Sequence, residues 1–197
     1  KKTLPEAIYY CISGQLTIWI LAIIGSTASV ANIGALGRIA VFLTIVQSLY
    51  STIVIPRFAR TERDFDSTLT YFLVIHLVML VFSLLMVFLV NLFASQILWV
   101  LGSKYYGLEK EIVLVIIGGL ISMVSGLTYL TCLSKSWVIN PLIFIPTSII
   151  FIVIGVVLID VSSLHGVLIF NIFLALIHMI MNCSYGYYKV FKLRQTA

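Results

Sequence analysis

The sequence predicts an all-α integral membrane protein: a single bundle of six transmembrane helices with both termini in the cytoplasm. Three observations lead to this prediction, namely the composition, the length of the apolar runs and the placement of the basic residues. Of the 197 residues 61% are hydrophobic and 10% are charged, and the mean hydropathy is +1.16. A soluble domain carries about a quarter charged residues, so lipid must be the outer solvent of this chain.

The apolar runs are continuous and approach or exceed the roughly 20 residues that a membrane helix needs. They predict one domain, residues 1–197, with short loops between its spans. The predicted spans are residues 7–24, residues 33–55, a run that follows the charged stretch 57–66 and continues to 93, and residues 109–133, 138–159 and 164–188. Within them we expect Pro56 to end the second span, Thr61 to cap the third and Pro146 to kink the fifth.

The basic residues set the predicted orientation. Six spans place nine of the twelve lysines and arginines at one end of the bundle, and the positive-inside rule makes that end cytoplasmic. The nine are Lys1, Lys2, Arg57, Arg60, Arg63, Lys135, Lys189, Lys192 and Arg194. The net charge of +5 is thereby explained as a cytoplasmic fringe beside anionic membrane lipid, and no nucleic-acid partner is needed.

The sequence contains no pattern that points to catalysis. The three cysteines and three histidines are widely spaced, which gives no metal-ligand spacing and no expected metal site. Paired carboxylates, a nucleophile elbow and a phosphate-binding loop are all missing. We therefore expect neither an enzyme nor a cofactor.

Arg38 is the most informative charged residue, because it lies at the outer end of the second predicted span with no acidic residue nearby in sequence. A charge at membrane depth usually faces a bundle interior or a water-filled cavity. Arg38 therefore either binds an anionic group such as a phosphate inside a cavity or reaches out to the membrane interface.

Polar stripes mark two further spans. Asn171, His178, Asn182 and Tyr185 recur at helical spacing on one face of the sixth span, which should face the interior. They either line a cavity and bind sugar hydroxyls or make hydrogen bonds between helices. In the first span Gln15, with Trp19 one turn further on, could line the same interior.

The fourth span carries a stripe of small residues, and packing against neighbouring helices is the favoured interpretation. The stripe consists of Gly118, Ser122, Ser125 and Gly126.

Several segments carry recognisable motifs. They are Gly-Gln-Leu-Thr-Ile-Trp at 14–19 with Ile-Gly-Ser at 24–26, the stretch 30–38 that ends in Gly-Arg, Ile-Pro-Arg-Phe-Ala-Arg at 55–60, and the stretch 96–106. With these motifs the chain resembles the C-terminal six-helix half of bacterial polysaccharide and O-antigen flippases. These flippases belong to the multidrug/oligosaccharidyl-lipid/polysaccharide exporter superfamily.

The resemblance implies one lobe of a MATE-like two-lobe transporter in the bacterial inner membrane. Its substrate would be an undecaprenyl-pyrophosphate-linked oligosaccharide, moved across that membrane by alternating access. The resemblance implies that basic residues lining the cavity bind the lipid pyrophosphate, and Arg38 lies where such a residue could serve. The residues expected to line the sugar path are Gln15, Asn171, His178 and Asn182.

Since the chain begins at Lys1 rather than Met and holds one lobe, we expect a second six-helix lobe. That lobe would be either an N-terminal half or a partner chain.

Two alternatives stay open. A cation-coupled multidrug exporter of the same superfamily would need membrane-embedded carboxylates, and none lies well inside a predicted span. A non-transporting membrane scaffold would use the polar stripes as helix contacts.

Overall fold

A computed structural model of the protein describes residues 8–9, 11–13, 15, 19, 27–61 and 64–195. This part of the chain is all-helical and contains no strand. Five of its helices are long and apolar enough to cross a membrane, which confirms the prediction of an all-α membrane protein. The first predicted span, 7–24, lies mostly outside the described residues, so the count of six stays a prediction.

The described helices are α1 Thr27–Arg60, α2 Phe65–Leu92, α3 Ala94–Leu101, α4 Glu109–Ser134, α5 Pro141–Leu158 and α6 Leu164–Arg194. The second to sixth predicted spans correspond to α1, α2, α4, α5 and α6. The short helix α3 and the 3₁₀ turn Ser103–Tyr105 that follows it lie in what the sequence predicted as a loop.

The prediction that Pro56 ends the second span is wrong, because α1 continues to Arg60. At 34 residues α1 is about 51 Å long, well over the roughly 30 Å of the hydrocarbon core. Pro56 lies in the last two turns of α1, near the basic residues expected at the membrane surface. Water at that surface can bind the carbonyl group whose helical hydrogen bond the proline removes.

The predicted cap of the third span is also wrong. Asp64 caps α2, and its carboxylate accepts a hydrogen bond from the Ser67 N–H at 3.2 Å. Thr61 instead follows the end of α1 and donates its hydroxyl to the Arg57 carbonyl at 3.3 Å. Aspartate is at least as good an N-cap as threonine, and its negative charge also suits the helix N-terminus.

The last two spans differ from their predicted bounds by more than one residue at one end each. Helix α5 begins at Pro141 rather than 138, because Asn140 caps it and accepts from the Leu142 N–H at 3.1 Å. Helix α6 continues six residues beyond 188 to Arg194. Its last turns carry basic side chains, which end the apolar run. The helix dipole nevertheless favours positive charge at a helix C-terminus, so the helix continues through them.

Helix α4 lies at the centre of the bundle and packs against α1, α2 and α6, while α5 packs against α6. The interior around α4 holds fully buried aromatic and aliphatic side chains such as Phe58 and Phe72. Polar bonds join the same helices. Thr131 donates its only hydroxyl proton to the Leu127 carbonyl at 2.7 Å, so Tyr50 of α1 donates to Thr131 Oγ1 at 2.7 Å.

Lys135 connects two loops at one end of the bundle. Its Nζ donates to the Thr61 carbonyl at 2.6 Å and lies 5.1 Å from the centroid of the Phe58 ring. The positive charge of Lys135 lies next to the C-terminus of α1, where the dipole of that helix favours it. The contact brings the ends of α1 and α4 together, so these two helices run parallel.

Helix α4 ends in a Schellman motif whose left-handed position is a serine. Ser136 has φ +62°, its N–H donates to the Leu133 carbonyl, and the Trp137 N–H donates to the Cys132 carbonyl, both at 2.9 Å. Glycine is the residue usually found at this position.

We expect Ser136→Gly to stabilise the protein by about 0.5–1 kcal/mol, because glycine adopts this backbone conformation without a Cβ penalty. The midpoint of thermal unfolding in detergent measures the change. Ser134→Gly, within helix α4, is the matched control and should destabilise instead. An equal loss of stability in both variants would contradict this account of the turn.

Candidate functional site

A cleft of about 640 Å³ opens where α1, α4 and α6 meet the described N-terminal residues. None of the described lining residues is Asp, Glu, Lys or Arg. The polar lining residues are Tyr9, Ser13, Gln47, Ser122, Ser125, Tyr129, Asn171 and His178. The cleft therefore presents hydroxyl, amide and imidazole groups in a setting otherwise made of aliphatic side chains and glycines.

Gln47, the polar side chain that α1 contributes to the cleft, lies near the middle of the membrane. Arg38 and Arg57 bracket a segment without charges, and they are separated along the helix by about 29 Å, close to the thickness of the hydrocarbon core. Gln47 lies halfway between them.

Helices α4 and α6 place polar groups at the same depth. Ser122 lies midway along α4 between Glu111 and Lys135, and His178 lies near the middle of the part of α6 that ends at Lys189. Polar groups from three helices thus line the cleft near the midplane, where secondary transporters hold their substrates.

Contacts with α5 fix His178 on the cleft wall. Its ring stacks on Phe144 with centroids 5.5 Å apart, and its Nε2 lies 3.2 Å from Ser148 Oγ. Ser148 is fully buried and donates its only proton to the Phe144 carbonyl at 2.8 Å. Ser148 Oγ therefore accepts from His178, so the neutral imidazole carries its proton on Nε2 and presents Nδ1 as an acceptor.

The polar stripe of the sixth span divides into two pairs. Asn171 and His178 line the cleft. Asn182 is 3% exposed and donates to Ser125 Oγ of α4 at 3.0 Å, and Tyr185 donates to the Val138 carbonyl at 2.7 Å. For this second pair the structure shows the alternative that the sequence left open, hydrogen bonds between α6 and its neighbours.

Arg38 is exposed and is not among the cleft-lining residues, although its neighbour Gly37 is. Helix α1 begins at Thr27 rather than 33, so Arg38 lies three turns inside the helix instead of at its outer end. The distance to Arg57 still places it at the outer interface. Its side chain therefore lies outside the cleft lining.

Gln15 and Trp19 of the first predicted span are both exposed, and neither lines the cleft. Tyr9 and Ser13 line it instead. The role predicted for Gln15 in the sugar path stays a prediction.

Sequence reasoning missed Gln47, Tyr129, Tyr9 and Ser13 as lining residues. Gln47 had a detectable signal, since it is a lone amide at the centre of a segment without charges.

The small-residue stripe of α4 has two parts. Gly118 packs against α6, where an added Cβ would lie 3.4 Å from Ile172 Cγ1, whereas an added Cβ at Gly126 would meet no atom within 4 Å.

A second polar cluster joins α2, α4 and α6 away from the cleft lining. His76 donates from Nδ1 to the Phe72 carbonyl at 2.7 Å, so its Nε2 is an acceptor in the neutral ring. That Nε2 lies 3.1 Å from Thr128 Oγ1 and 3.7 Å from Cys183 Sγ. The described residues hold no group of three or more His, Cys, Asp or Glu side chains that could bind a metal ion.

Comparisons with known protein families, with characterised proteins and with solved structures found no match. Together the fold and the cleft define a multi-pass helical membrane protein with a polar cleft near the midplane.

Proposed function

We propose that this chain is one lobe of a membrane carrier, a MATE-like six-helix bundle that pairs with a second six-helix lobe around a central cavity. The observation that carries the proposal is the cleft, in which polar groups of α1, α4 and α6 converge near mid-membrane depth. Polar side chains facing lipid would be costly, so their convergence supports a hydrated path for a polar substrate.

The proposed substrate is an undecaprenyl-pyrophosphate-linked oligosaccharide, and the proposed location is the bacterial inner membrane. The chemistry of the lining supports this choice, because uncharged donors and acceptors beside the rings of Tyr9 and Tyr129 suit sugar hydroxyls and sugar faces. In this proposal Asn171 and His178 contact the sugars, and Asn182 positions the wall through Ser125.

Arg38 is the proposed contact for the phosphates. Its exposed side chain lies outside the cleft lining at interface depth, where a lipid pyrophosphate would remain near its polyprenyl chain while the sugars enter the cleft. Arginine binds phosphate oxygens through paired hydrogen bonds.

The experiment is reconstitution of the intact carrier in vesicles that contain a fluorescent lipid-linked oligosaccharide. Transport appears as the fraction of fluorophore that becomes accessible to an added quencher. Equal rates in protein-containing and protein-free vesicles would reject the carrier and favour the scaffold, whose polar groups only join helices.

We expect Arg38→Ala to lower the transport rate by about 10-fold or more, because a charge-assisted contact of about 1.5–3 kcal/mol is lost. Arg38→Lys, which keeps the charge without the paired geometry, should retain an intermediate rate. Arg57→Ala, at the opposite end of the same helix, is the matched control. Unchanged transport by Arg38→Ala at normal protein levels would reject the phosphate contact.

A further inference from the structure

Gln47, the α1 residue near the membrane midplane, lacks among the described residues the hydrogen bonds that its side chain can make. Gln47 lines the cleft and is half-buried, yet its carboxamide has no hydrogen-bond partner in the part of the chain that the structure describes. A carboxamide carries two donors and an acceptor, and leaving them unpaired in hydrocarbon costs several kcal/mol. Within the cleft this carboxamide therefore needs a polar partner, which is water when the cleft is empty and a substrate group when it is occupied.

Three other polar side chains of α1 have no such requirement. Thr44 donates to the Val41 carbonyl at 2.6 Å, and Ser51 and Thr52 donate to the Ser48 carbonyl at 2.8 and 2.9 Å. Each of these hydroxyls uses its one proton within its own helix, which makes it compatible with an apolar setting. Gln47 is too long and too rich in donors for this solution.

Contacts between α1 and α4 show what faces Gln47. One turn before it, Leu43 Cδ1 lies 2.9 Å from the place where a Cβ on Gly119 would be. One turn after it, Tyr50 reaches Thr131. Gln47 therefore lies level with the intervening part of α4. That part includes Ser122, which is exposed and also lacks a hydrogen bond in the described structure, and Gly126, which faces open space.

We propose that Gln47 is a specificity-determining contact, whose carboxamide binds a neutral donor-and-acceptor group of the substrate. A sugar hydroxyl pair or an acetamido group fits this chemistry, with Ser122 as the second contact across the cleft. This assignment rests on the proposed transport function and identifies the residue that recognises the sugar.

The first test compares Gln47→Leu with Gln47→Asn in the vesicle assay. Loss of a neutral hydrogen-bonding contact should raise the KM for lipid-linked oligosaccharide by about 3- to 10-fold in Gln47→Leu, with kcat little changed. Gln47→Asn, which keeps the amide, should recover part of the loss. Thr44→Val, whose hydroxyl serves only its own helix, is the matched control and should behave as the parent protein.

Thermal unfolding separates this role from a structural one. Because Gln47 makes no internal hydrogen bond, Gln47→Leu should unfold at the same temperature as the parent protein or higher. A lower unfolding temperature, or failure to fold, would overturn the proposal. An unchanged KM in a carrier that transports normally would overturn it as well.

Cysteine labelling tests the site without transport. In a protein whose Cys11, Cys132 and Cys183 are replaced by serine, a cysteine introduced by Gln47→Cys should react with a water-soluble thiol reagent. Added lipid-linked oligosaccharide should slow that reaction at least several-fold. No labelling, or labelling that the substrate does not slow, rejects the Gln47 contact. Labelling and protection without transport in the parent protein would instead reject the carrier function alone.

Discussion

Replacing Gly166 with alanine should destabilise the protein by about 3 kcal/mol or more, the largest effect that we expect from a single methyl group. Gly166 lies in the first turn of α6, and an added Cβ there would lie well inside van der Waals contact of the Asp160 backbone carbonyl. Overpacking of this kind costs about 1–3 kcal/mol where a side chain can move, and more where the obstacle is backbone.

The turn before α6 has little freedom to relieve this contact. The Asp160 carboxylate accepts from both the Ser162 hydroxyl and its N–H, at 2.6 and 3.1 Å, and these bonds lower the pKa of Asp160 below its usual value. Ser163 then caps α6 by accepting from the Gly166 N–H at 3.1 Å. Any shift of the Asp160 carbonyl would therefore disturb the helix start.

Thermal unfolding in detergent, or the amount of folded protein recovered from membranes, measures the effect of Gly166→Ala. Gly34→Ala is the matched control, since an added Cβ there meets no atom within 4 Å and alanine favours a helix. Gly34→Ala should be neutral or stabilising. Equal stability of the two variants would show that the α6 turn is looser than the structure indicates.

Much of the fold follows from hydropathy alone, because a helix is the structure in which a single long apolar segment satisfies its backbone hydrogen bonds by itself in lipid. The fourth span shows this, since the predicted 109–133 differs from the observed Glu109–Ser134 by one residue. Hydropathy does not show where a helix ends in water. Helix α6 passes 188 because lysine and arginine favour its C-terminal turns, although they end the apolar run.

The candidate site was harder to predict than the fold. Asn171 and His178 were found because polar residues at helical spacing stand out in an apolar span. Asn182 belongs to the same stripe yet bonds to Ser125, and this division depends on which neighbouring helix is close at that level. Gln47 was missed because it is the only amide in its part of the span, and a single polar residue shows no helical periodicity.

The second large effect should come from Gly186, where α6 meets α2 and α4. An added Cβ there would lie 2.5 Å from Phe72 Cζ and 3.1 Å from Cys132 Sγ. Phe72 is fully buried and packs edge-on against Tyr187 at 5.0 Å, so its ring has little room to turn aside. We expect Gly186→Ala to destabilise the protein by about 2–3 kcal/mol, net of the gain in helix propensity.

Because the obstacle at Gly186 is a side chain rather than backbone, shortening it should relieve the strain. Phe72→Leu alone should cost about 1–3 kcal/mol by leaving a cavity, yet Gly186→Ala should cost about 1–2 kcal/mol less in that background than in the parent protein. The four unfolding free energies of this double-mutant cycle measure the coupling. Additive effects would mean that the close approach of α2 and α6 does not depend on the glycine.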